Sequence, residues 1–152
     1  MTEILEGVKQ RFLKIKDTTR IKVRMNDTDA MGIVHFKNYM VYFDDGFVSL
    51  MNNIAHPRRI EDSVREGIAC GVKHIDITYE NSAKFGDYLI VKSQIKDIGH
   101  KSIIFHHEIF NESNKNLLAT VDCVRFFIDL NKNEIIDATE FLLDYTKLDD
   151  PP

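Results

Sequence analysis

Apolar residues recur along this chain at two different periods, and the change of period divides it into elements. From residue 38 onward Tyr39, Tyr42, Phe43, Phe47, Leu50, Met51 and Ile54 return at intervals of three and four, the period of a helix. The apolar share is too high for a helix with one wet face, so this segment is expected to be wrapped by other elements. Gly46 inside it costs about 1 kcal/mol relative to alanine and is read as a point where another backbone approaches. A weaker stripe of Ile4, Leu5, Val8, Phe12 and Ile15 predicts a short amphipathic helix over residues 3–15.

Elsewhere the period is two, as in half-buried strands. "TRIKVRM" alternates Ile21, Val23 and Met25 against Arg20, Lys22 and Arg24. "HPRRIEDSVREG" reads as a loop and a short helix closed by Gly67. "CGVKHIDITYE" then sets Val72, His74, Asp76 and Thr78 against Lys73, Ile75, Ile77 and Tyr79. "DYLIVKSQIKDI", "KSIIFHHEIF" and "NLLATVDCVRFFIDL" follow, separated by turn-like "KFGD", "GHK" and "NESNKN". Short turns between consecutive strands predict antiparallel neighbours. "ATEFLLDYTKL" predicts a closing helix, and Pro151 and Pro152 a frayed tail.

A strand, a long apolar helix and four strands give an α+β fold: one five-stranded antiparallel sheet wrapped around a central helix. Residues 1–18 are read as an N-terminal extension and 19–148 as the domain, since 152 residues suit one core. Such a sheet leaves an open edge and apolar surface, which dimerisation would cover.

Composition narrows the function. The net charge is −4 and the pI near 5.8, without the basic footprint of nucleic-acid binding. No apolar run approaches the ~20 residues needed to span a bilayer, so no membrane insertion is expected. The glutamate-bearing N-terminus is no signal peptide, and Cys70 and Cys123 form no paired motif. A cytoplasmic protein is expected.

"DTDAMGIVHFKNYM", residues 27–40, holds the candidate chemistry. Asp27 and Asp29 can cap a turn through their side chains. One of them can also stand beside a helix N-terminus, whose amides would polarise a carbonyl while the carboxylate or a water attacks it. The six histidines, His35, His56, His74, His100, His106 and His107, have no metal-ligand spacing, and no metal is expected. Adjacent His106 and His107 must face opposite sides of a strand. Ser49 and Ser93 lack a nucleophile elbow, and no glycine-rich phosphate loop is present.

"DTDAMGIVHFKNYMVYF", "YENSAKFGDYLIV" and "IGHKSI" together resemble hot-dog-fold acyl-CoA thioesterases of the 4-hydroxybenzoyl-CoA type, including their Tol-Pal-associated relatives, over residues 19–129. The resemblance implies the same sheet around a helix, assembled as homodimers or homotetramers, and an acyl-CoA substrate hydrolysed without a cofactor. It puts the catalytic carboxylate on Asp29 and the carbonyl-polarising backbone N–H on Phe36, at the start of the central helix. Gly32, Asn38 and Tyr39 match the pattern as substrate-side residues. His100, Lys101 and Ser102 fall where some members contact coenzyme A phosphates. His35, close to the motif, is a further catalytic candidate, which leaves a hot-dog hydratase or dehydratase open beside hydrolysis. A non-catalytic acyl-CoA-binding protein is the third reading.

Overall fold

The apolar stripe after residue 38 forms α2, Asn38–Ile54, in the computed structural model, which describes residues 2–147. The end of the expected domain at residue 148 and the proline tail lie outside the described residues, as do the side chains of Ile4 and Leu5. Ahead of α2 come α1 (Thr2–Leu13) and β1 (Lys16–Lys22). After it come α3 (Ile60–Arg65), β2 (Ile68–Tyr79), β3 (Tyr88–Ile98), β4 (Ile103–Asn111) and β5 (Leu117–Asp129). A two-residue β6 (Glu134–Ile135) and α4 (Ala138–Tyr145) close the described chain. Lys16, Asp17 and Thr18, read from sequence as extension, are the first rungs of β1 on β3. Met25, expected to continue β1, instead opens a 3-10 turn and is 70 % exposed.

The five long strands make one antiparallel sheet in the order β1-β3-β4-β5-β2, with β6 added on β5. The expected pairing of all consecutive strands therefore fails at one place, since β2 pairs with β5 and not with β3. Residues 80–87 lead from edge strand β2 to β3, the neighbour of the opposite edge strand. This lets β1 and β2 form the two edges while the concave face closes on α2. Alternation in sequence specifies which face a side chain takes, not which strand lies beside it.

β2 also carries a bulge between Val72 and His74. An extra residue reverses the alternation, so Val72 lies opposite inward-facing Arg125, and Ile75, Ile77 and Tyr79 lie opposite Cys123, Val121 and Ala119. Val72 thus shares the inner face with Ile75, not the outer face with His74. On β4 the alternation is unbroken, with Ile103, Phe105, His107, Ile109 and Asn111 buried.

α2 spans two apolar clusters. Its second half packs Phe47, Leu50 and Met51 with Phe12, Phe105, Phe127 and Phe141. Its first half packs Tyr39, Tyr42 and Phe43 with Val23, Leu89, Val91 and Ile109. Gly46 lies between them. A Cβ there would stand 2.6 Å from Ser93 Oγ, 2.7 Å from Val91 Cγ1 and 3.3 Å from His107 Nδ1. The close approach expected at Gly46 is real, but it is made by side chains of the sheet and not by another backbone.

His107 is fully buried, with Nδ1 2.7 Å from Ser93 Oγ and Nε2 without a partner among the described residues. Burial, aided by the nearby Arg125 and His106, lowers its pKa from 6.5 to about 3. The folded chain therefore refuses a proton that the unfolded chain binds below pH 6.5. Stability present above that pH is lost at up to about 1.4 kcal/mol per pH unit as pH falls toward 3. Denaturant titrations from pH 7 to 4 should show this slope, and His107→Gln should shallow it by about one proton whatever its absolute stability. An unchanged slope in the variant would assign the acid sensitivity to other groups.

Candidate active site

The chain leaves β1 through buried Val23, whose amide donates to Asp87 O at 2.8 Å, and enters the 3-10 turn Met25–Asp27. Asp27 is 2 % exposed. Its Oδ2 accepts from the Arg24 amide at 3.0 Å and the Tyr42 hydroxyl at 2.9 Å, and its Oδ1 from Arg24 Nη2 at 3.1 Å. Its carbonyl accepts from His35 N at 2.9 Å and Asn38 Nδ2 at 2.7 Å. Burial alone would raise the Asp27 pKa, but the Arg24 amide, the Arg24 guanidinium and the Tyr42 hydroxyl outweigh it and hold the carboxyl below the usual range. Burial and the same carboxylate push the Tyr42 phenol far above its ordinary value.

Two residues on, Asp29 sits in a tight loop. Its Oδ1 accepts from Met31 N at 2.8 Å, its carbonyl from Gly32 N at 3.0 Å, and its amide donates to Ile33 O at 2.9 Å. Gly32 has φ +78°, a left-handed conformation that side chains disfavour, although space for a Cβ is open. Gly32 is thus a backbone requirement of the loop. Both carboxylates cap turns, but Asp27 is buried whereas Asp29 is half-buried and lines a cleft.

That cleft, of about 390 Å³, is lined by Asp29, His35, Phe36, Tyr39 and Tyr79, with residues 80–82 on its far wall. Phe36 does not begin the helix, as expected; it lies two residues ahead of it, in the turn joined by Asn38 N to His35 O at 2.9 Å and Tyr39 N to Phe36 O at 3.3 Å. No acceptor meets the Phe36 amide among the described residues. His35 Nδ1 accepts from Lys37 N at 3.2 Å, which puts the proton of a neutral ring on Nε2. The loop and the turn thus bring Asp29 and Phe36, whose amide meets no acceptor among the described residues, to one cleft. Such a pair suits attack on a carbonyl whose oxygen gains charge.

His100, Lys101 and Ser102 are not part of this cleft. They form the β3–β4 turn, and β3 alone carries the chain roughly 30 Å from the cleft to that turn. There His100 Nδ1 lies 2.8 Å from Asp137 Oδ2, and Lys101 Nζ donates to Ile135 O at 3.3 Å. Tyr79 and residues 80–82 are cleft residues that sequence reasoning missed. The inward alternation of Ile75, Ile77 and Tyr79 was the available signal, hidden by not knowing which strand end meets the loop. Among the described residues no three His, Cys, Asp or Glu side chains converge as a metal site would need. No described helix is long and apolar enough to cross a membrane.

Residues 23–145 match the thioesterase-like superfamily. The chain belongs to this superfamily. It is 27% identical over 95 residues to the putative acyl-CoA thioesterase YneP of Bacillus subtilis, covering 62% of this chain and 67% of that one. It is 25% identical over 114 residues to the acyl-CoA thioesterase YbgC of Haemophilus influenzae, covering 74% and 80%. Among solved structures, a DHNA-CoA thioesterase from Staphylococcus aureus superposes with a TM-score of 0.77 at 22% identity, over 86% of this chain and 85% of that one. The 4-hydroxybenzoyl-CoA thioesterase of Pseudomonas sp. strain CBS-3 gives 0.73 at 20% identity, over 86% and 98%. The hot-dog fold expected from the sequence is the fold observed.

In this thioesterase-like chain the Asp27 carboxylate joins Arg24 to Tyr42 of α2, so Asp27→Asn should lower stability by about 1–3 kcal/mol. The amide side chain places an NH2 where one of the accepting oxygens stood. Thermal and denaturant unfolding check this, and a wild-type midpoint would deny Asp27 its anchoring role.

Proposed function

We propose that the protein hydrolyses an acyl-CoA thioester to a free acid and coenzyme A, with Asp29 as nucleophile or general base. The observation that carries this is the Asp29 carboxylate facing the same cleft as the unpaired Phe36 amide, in a chain whose relatives include acyl-CoA thioesterases. The thioester carbonyl oxygen accepts from Phe36 N–H as negative charge develops on it. As nucleophile, Asp29 bonds to the carbonyl carbon, the C–S bond breaks, and water then cleaves the resulting anhydride. As base, it takes the proton of the water that attacks instead. Either route is free of metal and cofactor.

The hydratase or dehydratase reading needs a basic histidine, and the Nδ1 of His35 is already engaged by the Lys37 amide. Hydrolysis is therefore the better reading, with His35 at the cleft rim, and Gly32, Asn38 and Tyr39 shaping the loop, the turn and the cleft wall.

The proposal includes self-association. Val72 and Ile75 on the inner face of β2, and Val41 and Val48 on α2, are all more than a third exposed, an apolar surface at an open sheet edge. The β3–β4 turn lies too far from Asp29 to share its substrate within one protomer. His100, Lys101 and Ser102 reach coenzyme A phosphates only from another copy. The two free thiols, Cys70 and Cys123, suit a cytoplasmic enzyme.

Thiol release from a panel of acyl-CoAs tests the reaction. On any substrate found, Asp29→Asn should lower turnover by about 10²–10⁴-fold with acyl-CoA binding retained, and His35→Ala by less than about tenfold. Wild-type turnover by Asp29→Asn would exclude the mechanism. Light scattering should give at least a dimer at micromolar concentration; a stable monomer would exclude the two-copy phosphate contact.

A further inference from the structure

Two peptides meet at Phe36 ahead of α2, His35–Phe36 with the N–H and Phe36–Lys37 with the carbonyl, and both stand outside the helix itself. The Phe36 side chain offers little anchorage, being 66 % exposed and stacked on His35 at 4.5 Å. The bonds from Lys37 N to His35 Nδ1, Asn38 N to His35 O and Met40 N to Lys37 O are local, while His35 N and Asn38 Nδ2 tie the turn to Asp27 O at 2.9 and 2.7 Å. One tie to the Phe36 carbonyl comes from the sheet. The hydroxyl of Tyr79, the last residue of β2, donates to Phe36 O at 3.3 Å. Its ring meets the buried Tyr39 ring edge-on, at 5.4 Å and 73°.

We propose that Tyr79 is a positioning residue: its hydroxyl pins the Phe36 carbonyl, and so the Phe36–Lys37 peptide, to the end of β2, and through Phe36 Cα this restrains the adjoining His35–Phe36 peptide that presents the Phe36 N–H to the cleft. This rests on the thioester hydrolysis proposed above. A donor to a developing oxyanion acts only when held about 2.7–3.1 Å from the place that oxygen will occupy. The Phe36 carbonyl accepts from Tyr79 Oη and from Tyr39 N, both at 3.3 Å. Tyr79 thus supplies a restraint from the sheet, across 43 residues of chain, that the turn cannot supply to itself. Tyr39 in turn fixes the Tyr79 ring, so the hydroxyl does not search for its acceptor.

The test compares wild type, Tyr79→Phe and Tyr79→Leu. Tyr79→Phe keeps the ring contact and removes the hydroxyl, so kcat should fall about 3- to 10-fold with KM little changed, the size of one hydrogen bond. Tyr79→Leu also loses the ring and should lower kcat further and raise KM. Amide hydrogen exchange at Asn38 and Tyr39 should speed up in Tyr79→Phe, a readout that needs no substrate. Wild-type kcat in Tyr79→Phe, a rise in KM alone, or unchanged exchange at those two amides would each overturn the assignment. Should the wild type cleave no acyl-CoA, the hydrolytic reading falls separately, and the exchange rates still decide whether Tyr79 holds the turn.

Discussion

The geometry of the cleft depends on one buried carboxylate. Asp27 gathers the end of β1 through Arg24, the first half of α2 through Tyr42, and the Phe36 turn through His35 and Asn38. A buried charge without such partners would cost several kcal/mol, so the end of β1 and α2 cannot part without exposing or orphaning it, while the turn is held by the Asp27 carbonyl. Asp29 follows two residues later with its loop closed by its own side chain and by Gly32. Its placement is therefore inherited from Asp27. The proposed chemistry falls to the freer carboxylate because the other is consumed by structure.

Asp27 could not hold α2 in place if the helix rode higher over the sheet. The depth is set at Gly46, where Ser93, Val91 and His107 occupy the space of a Cβ. Helix propensity favours alanine here by about 1 kcal/mol, while overpacking a filled core costs about 1–3 kcal/mol. Packing wins over propensity. With α2 seated this low, Tyr39 and Tyr42 reach the cluster containing Val23 and Leu89, and the turn ahead of the helix comes to the open end of the sheet, beside Tyr79.

Much of this was legible in the residues. The stripe from Tyr39 to Ile54 gave α2, the period-two runs gave the five long strands, and "DTDAMGIVHFKNYM" marked the loop where the cleft lies. What escaped were relations between elements. The pairing of β2 with β5 is decided by closure of the sheet around the helix, and nothing in "CGVKHIDITYE" names its neighbour. The bulge at Lys73 moves Val72 to the other face because one extra residue in a strand reverses everything before it. Buried Arg125 is held 2.6 Å from Asp44 and 4.0 Å over the Phe47 ring, and nothing in "NLLATVDCVRFFIDL" names these partners on α2. A charge enters the core there because the helix offers it a carboxylate and an aromatic face together.

The same topology explains why the proposed substrate contacts divide between two ends of the sheet. Antiparallel strands of about ten residues separate the cleft, at the start of β3, from the turn after its last residue, and no side chain crosses that span. A protomer with this sheet can hold either the thioester or the coenzyme A phosphates at these residues, not both. The bulged edge strand β2, with Val72, Ile75 and Tyr79 partly uncovered, is where the sheet can accept a neighbour, and Tyr79 stands at the boundary of that edge and the cleft. Association and placement of the Phe36 turn thus act on the same strand. In the proposed assembly, a second copy covering β2 would restrain the residue that ties the turn to the sheet, which would make association a contributor to the geometry of the proposed reaction and not only to the area buried.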